Sequence, residues 1–151
     1  MHLMKVCCIA VTARNKTAIE MREDMKDMKE IKLAEVELQF AELIWEAEPI
    51  PSGELVKLCE KELNWKKSTT YTVLRKLCQR KVLQNEDSIV TSLIKKDEYF
   101  AIQSEQFVED TFQGSLPGFL SAFMSRRKLS DKQVSEIEEM IEAYRRGEKK
   151  R

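Results

Sequence analysis

Apolar residues recur every three to four positions over most of residues 33–147, the period of helices with one buried face. Val36, Phe40, Leu43 and Ile44 share a face of a first segment, 33–46. Pro49 and Pro51 end it, since proline has no backbone donor. Ser52 is placed to cap a second helix, with Glu54 in its first turn. That helix carries Leu55, Val56, Leu58, Cys59 and Leu63. After a break at Asn64-Trp65, a third helix runs over roughly 67–81, with Thr70, Val73, Leu74 and Leu77 inward. The period then shortens. Two β-prone stretches, Val82–Asn85 and Ile89–Ile94, flank the polar turn Glu86-Asp87-Ser88 and predict a hairpin. Three helices followed by a hairpin are the plan of a winged helix.

From Lys95 onward the helical period returns. Phe107, Val108 and Phe112 line one element that ends near Gly114. Ser115 can cap the next, which tolerates Pro117 in its first turn and carries Leu116, Phe119, Leu120, Phe123 and Met124. Ser130 with Gln133 forms a capping box ahead of Val134, Ile137, Ile141 and Tyr144. Some 50 residues in three striped helices are too few for a core of their own. Pairing with a second copy, through Phe107, Phe112, Leu116, Phe119, Leu120, Phe123, Val134, Ile137 and Ile141, is the economical way to cover them; packing on the chain's own winged helix is the alternative. The expected fold is mainly α. It has a winged helix-turn-helix domain over 31–95 and a helical dimerisation region over 96–147. A poorly structured lead (1–30) and a tail (148–151) flank them.

Charge sharpens this picture. The formal net charge is zero, but residues 30–60 carry eight acids and two bases, whereas residues 61–81 carry seven bases and one acid. The third helix therefore sits in a local basic block, which fits a site better than general adhesiveness. Its wet face gathers Ser68, Tyr71, Thr72, Arg75 and Gln79, and no carboxylate occurs between Lys66 and Gln84. An ordinary solvated face would carry Glu as well as Lys. Hydroxyls, a phenol, a guanidinium and an amide can instead donate to phosphates and base edges without repelling a polyanion. The expected DNA contacts are Lys66, Lys67, Lys76 and Arg80 on phosphates and Ser68, Tyr71, Thr72 and Arg75 toward bases, with Thr69 among the contacting residues. The partner would be double-stranded DNA. The acidic hairpin tip, Glu86 and Asp87, is not expected to grip phosphate. It favours the rival reading, a winged helix that binds another protein.

Other chemistry is poorly supplied. The one histidine is His2, and the four cysteines form no C-x-x-C pair: Cys7 and Cys8 are adjacent, Cys59 and Cys78 isolated. No metal, cofactor, disulfide or enzymatic activity is expected. Cys59 and Cys78 read as small core or boundary residues in a reducing compartment. No apolar run approaches the length of a membrane span, and Val6–Val11 is too short for a signal-peptide core, so a cytoplasmic protein without direct membrane binding is expected. Met21, Met25 and Met28 cluster just before the patterned region; either one of them is the true start or the lead holds a short helix.

The order of these segments resembles the penicillinase-repressor family, the BlaI/MecI group with its copper-responsive CopY-like relatives. Leu33-Ala34-Glu35-Val36-Glu37-Leu38 followed by Leu43-Ile44-Trp45 is similar to the family's opening helix. Trp65 and Thr69-x-x-Thr72-Val73-Leu74-x-x-Leu77 resemble its central signature. Val90 to Tyr99 resembles the second wing strand and its exit, and Phe107…Phe112-Gln113-Gly114-Ser115-Leu116 with Leu129-Ser130…Ile137-Glu138-Glu139-Met140 resembles the dimerisation region. The resemblance implies a homodimeric repressor on a palindromic operator. It also implies release by cleavage in the dimerisation region, triggered by a membrane-bound sensor protease. The matching bond is Gln106–Phe107, where the familiar residue before Phe is Asn. Two further departures stand out: Ala34 replaces a Ser or Thr cap, and Lys81 stands where a Gly usually ends the recognition helix. The tail lacks the paired cysteines of the copper-responsive relatives.

Overall fold

The computed structural model of the chain describes residues 31–148; the lead of residues 1–30, its candidate start methionines, Cys7 and Cys8, and the tail beyond 148 lie outside them. In chain order the elements are α1 (Glu35–Ala47), β1 (Ile50–Pro51), α2 (Ser52–Leu63), α3 (Lys67–Gln79), β2 (Leu83–Glu86), β3 (Ile89–Ser92), α4 (Lys96–Phe112), α5 (Leu116–Arg126) and α6 (Asp131–Arg145). This is a mainly helical fold with a small antiparallel sheet, the winged helix expected, followed by further helices. The chain forms two compact units that divide inside α4, between Gln106 and Phe107.

In the first unit α1, α2 and α3 enclose Phe40, Ala41, Ile44, Leu55, Cys59, Leu74 and Leu77, and the sheet adds Leu83 and Val90. Tyr99, near the start of α4, belongs to the same core. Its hydroxyl accepts the Leu33 backbone N–H at 3.3 Å, and its ring lies 5.7 Å from that of Trp45.

The buried stripe of α1 is rotated by one position from the expected one. It runs through Glu37, Phe40, Ala41 and Ile44, while Val36 is 52% exposed. A carboxylate can occupy that stripe because α3 supplies cations to meet it, as described below. Glu37 also accepts the Ala34 backbone N–H at 2.9 Å. The start of α1 thus keeps one half of a capping box although Ala34 offers no side-chain cap.

Ser52 is not the N-cap expected of it. Pro51 takes that position without a side-chain bond, and Ser52 begins the helix, buried. The preceding residues are drawn into the sheet instead: Ile50 pairs with Val90 and Pro51 with Ile89. This short strand lies at the edge of the order β1-β3-β2, where a residue without an N–H is tolerated. Two prolines in three residues, Pro49 and Pro51, argue against a strand in the sequence, and the pairing with β3 overrides them.

The hairpin strands are slightly displaced from expectation, with Leu83 opposite Ser92 and Glu86 opposite Ile89. Asp87 and Ser88 both have positive φ, 49° and 64°, as a two-residue turn matched to strand twist requires.

The second unit has no sealed interior. Phe107, Phe112, Phe119 and Phe123 form an aromatic cluster with ring centroids 5.6–6.1 Å apart. The capping expected of Ser115 and Ser130 is present: Ser115 Oγ accepts the Gly118 N–H at 3.0 Å and Ser130 Oγ the Gln133 N–H at 3.2 Å. Yet neither α5 nor α6 has a buried residue. Leu116, Phe123, Met124, Val134, Met140 and Ile141 stay exposed, and Tyr144 is 85% exposed.

Candidate nucleic-acid interface

The helix-turn-helix is made by α2 and α3. At the turn, Asn64 adopts a left-handed conformation, φ 55°, which asparagine tolerates better than most residues. Trp65 then stacks on Phe40 with ring centroids 5.5 Å apart, which anchors the start of α3 to α1. Thr70, Leu74 and Leu77 bury the inner face of α3.

On the outer face, residues 68, 72, 75 and 79 recur at helical spacing, and Ser68, Thr72, Arg75 and Gln79 are all exposed. The Thr72 hydroxyl donates to the Ser68 carbonyl at 2.8 Å; Arg75 has no hydrogen bond or ion pair among the described residues. Lys66, Lys67 and Thr69 are exposed at the N-terminal end of α3. That end carries no side-chain cap and no acid in its first turn, so its N–H groups and partial positive charge face outward.

Both flanks of this stripe are engaged with the rest of the fold. On one side Tyr71 is half-buried, and its hydroxyl lies 3.4 Å from Ser52 Oγ. The Ser52 backbone N–H in turn donates to the Ser88 carbonyl of the hairpin turn at 2.7 Å. Tyr71 therefore links α3 to α2, and through Ser52 to the wing. Lys67 Nζ lies 6.0 Å from the Tyr71 ring centroid.

On the other side Lys76 and Arg80 face α1. Lys76 Nζ is 2.6 Å from Glu37 Oε1. The Arg80 guanidinium is split between Glu37 Oε2 at 3.0 Å and the Lys32 carbonyl at 2.8 Å. Burial pushes the Glu37 carboxyl up, but contacts from Lys76 and the Ala34 N–H, with the charges of Lys76 and Arg80, more than offset it and hold the group below its usual range. Glu37 was not anticipated as part of the site. Its signal was its place three residues after the cap, in step with Phe40, Ala41 and Ile44.

The helix closes two residues earlier than expected, at Gln79. Lys81 takes the left-handed position, φ 58°. Its N–H bonds the Cys78 carbonyl and the Val82 N–H bonds the Leu77 carbonyl, each at 3.0 Å. This is the Schellman closure that normally uses glycine. Cys59 and Cys78 are free thiols, buried and half-buried; burial raises both. No helix of the described residues is long and apolar enough to cross a membrane.

Comparison with known proteins agrees with this architecture. The penicillinase repressor of Bacillus licheniformis is 24% identical over 127 residues, which cover 81% of this chain and 99% of that protein. The family description "Penicillinase repressor" matches residues 33–143, a span that takes in the winged helix and most of the helices after it. The chain belongs to the penicillinase repressor family, a family of DNA-binding transcriptional repressors.

Proposed function

We propose that this chain represses transcription as a homodimer, with α3 of each protomer in successive major grooves of a palindromic operator. The observation that carries the reading is the stripe Ser68, Thr72, Arg75 and Gln79, exposed and free of carboxylate. Arg75 and the hydroxyls read base edges, while Lys66, Lys67 and the uncapped start of α3 hold phosphates. Tyr71 reaches the duplex only with the edge it leaves exposed. Arg80 serves the fold. A second copy is favoured by the open apolar faces of α5 and α6, and two-fold symmetry would place the two α3 helices about one DNA turn apart.

Release follows from loss of the dimer. The Gln106–Phe107 bond is the proposed cleavage point, and a membrane-bound sensor protease is the proposed trigger. The division of the chain into two compact units at this bond supports it, because one cut there separates the DNA-binding helices from the faces that pair. The bond lies within α4, so cleavage requires that turn of helix to open first.

The test is a binding assay on the duplex upstream of the protein's own coding sequence, against a scrambled duplex of equal length, at rising salt. A repressor retains preference for the upstream duplex as salt weakens both. Equal, weak binding to the two duplexes would favour the rival reading, a winged helix that recognises another protein.

A further inference from the structure

Six cations lie in or beside α3, but they are not equivalent. Lys66, Lys67, Arg75 and Lys81 are exposed. Lys76 and Arg80 converge on one carboxylate, that of Glu37, which is 6% exposed. Glu37 Oε2 accepts from Arg80 and from the Ala34 N–H, whereas the buried Oε1 accepts no hydrogen bond and meets the Lys76 ammonium as an ion pair at 2.6 Å. Arg80 is held twice, whereas the Lys76 side chain is 61% exposed and held at one end only.

Resting on the DNA-binding reading above, we propose that Glu37 is an internal counter-anion. It competes with DNA phosphate for Lys76 and withholds Arg80, and so limits the share of affinity that is independent of sequence. A phosphate arriving at Lys76 must displace a carboxylate that is already in place and little screened by salt. A cation so engaged adds little to the counterion release that drives non-specific binding. Ser68, Thr72, Arg75 and Gln79 make no hydrogen bond or ion pair with Glu37 among the described residues, so the sequence-reading stripe keeps its donors. The gain is discrimination, because non-specific sites vastly outnumber operators.

The experiment uses the full chain and a mixed-sequence duplex of about 30 base pairs, titrated from about 50 to about 200 mM salt. Glu37→Gln keeps an acceptor for the Ala34 N–H and deletes the charge. It is expected to steepen the salt dependence by about one unit of slope per protomer and to tighten low-salt binding roughly fivefold or more. Adding Lys76→Ala to that variant should remove most of the increment. Lys76→Ala alone should change the slope by less than about half a unit.

Wild-type slope and affinity in Glu37→Gln would overturn the proposal. So would a loss of a full unit in Lys76→Ala alone, which would mean that Lys76 meets phosphate despite Glu37. If circular dichroism shows Glu37→Gln unfolded, the Lys76→Ala measurement decides. Should the wild-type chain bind neither this duplex nor its own upstream duplex in a salt-dependent way, the DNA-binding reading itself fails and takes this proposal with it.

Discussion

Glu48, at the end of α1, and Ser92, at the end of β3, are joined twice: the Glu48 carboxylate accepts the Ser92 backbone N–H at 2.5 Å and its hydroxyl at 2.9 Å. Lys95 Nζ adds a third contact at 2.7 Å. Beside them the Trp45 indole donates to the Ile94 carbonyl at 2.9 Å. Together these contacts fasten the return strand of the hairpin to α1. Glu48→Ala leaves the Ser92 N–H without its partner and should lower stability by about 1–3 kcal/mol. Urea denaturation at neutral pH measures it; an unchanged midpoint would show that the wing is held by its apolar residues alone.

The same carboxylate sets an acid limit. Burial raises Glu48, but bonds from Lys95 and from both Ser92 groups, with the Lys95 charge, outweigh it and leave the group below its usual range. Glu37 is displaced in the same direction. A carboxyl whose folded value is depressed contributes stability above its unfolded value, about pH 4.3 for Glu, and loses it as pH falls through the lower folded value. Stability should therefore hold down to about that pH and decline below it. Glu48→Gln should make the decline shallower in an acid titration followed by circular dichroism. A decline as steep as in the wild type would remove Glu48 from the account.

Lys81 is the second point where stability can be tested. A side chain in the left-handed region carries a penalty of about 1–2 kcal/mol, and Lys81 is exposed there with no side-chain bond among the described residues to offset it. Lys81→Gly should raise unfolding free energy by about 1 kcal/mol, less the entropy that glycine adds to the unfolded chain. If Lys81 also touches phosphate, the variant binds DNA more weakly while melting higher. A lower melting temperature would mean that the lysine stem packs usefully where it stands.

The helices were legible because inward positions and caps are local signals: Leu55 with Cys59 and Thr70 with Leu74 and Leu77 mark faces, and Ser130 with Gln133 marks an end, each within a few residues. What escaped was what depends on distant partners. Glu37 is buried only because Lys76 and Arg80, some 40 positions away, meet it. β1 exists only because β3 offers an edge. Ser52 begins a helix instead of capping it because the preceding Pro51 joins the sheet. The same limit applies to the site. The stripe of Ser68, Thr72, Arg75 and Gln79 is local and was readable, whereas the engagement of Tyr71 by Ser52 and of Arg80 by Glu37 was not.

Arg75 and Arg80 lie five residues apart on one helix and should behave differently. Arg75 has no hydrogen bond or ion pair among the described residues, so Arg75→Ala should leave stability unchanged. It should remove about 1–3 kcal/mol of preference for the upstream duplex if it reads a guanine. Arg80→Ala takes one of two donors from Glu37 Oε2 and frees the Lys32 carbonyl, so its first effect should be a lower melting temperature. Measuring both variants by thermal melting and by binding separates the roles. A destabilised Arg75→Ala, or a fully stable Arg80→Ala with weakened binding, would reverse the assignment.

Pairing through the second unit can be tested at modest cost to the chain's own packing. Phe123 and Ile141 are 44% and 46% exposed in the single chain; an aspartate at Ile141 removes little from the fold of one protomer, and one at Phe123 removes a single ring contact, with Phe119. In a dimer interface it would bury an unpaired charge, which interfaces reject strongly. Phe123→Asp with Ile141→Asp should sediment as a monomer at concentrations where the parent chain is paired, with unchanged helix content. Its affinity for the upstream duplex should fall well over tenfold, because two half-sites held together gain an effective concentration that a lone protomer lacks. A variant that stays dimeric would move the interface off these helices. One that becomes monomeric yet binds the duplex as tightly as before would show that a single α3 suffices.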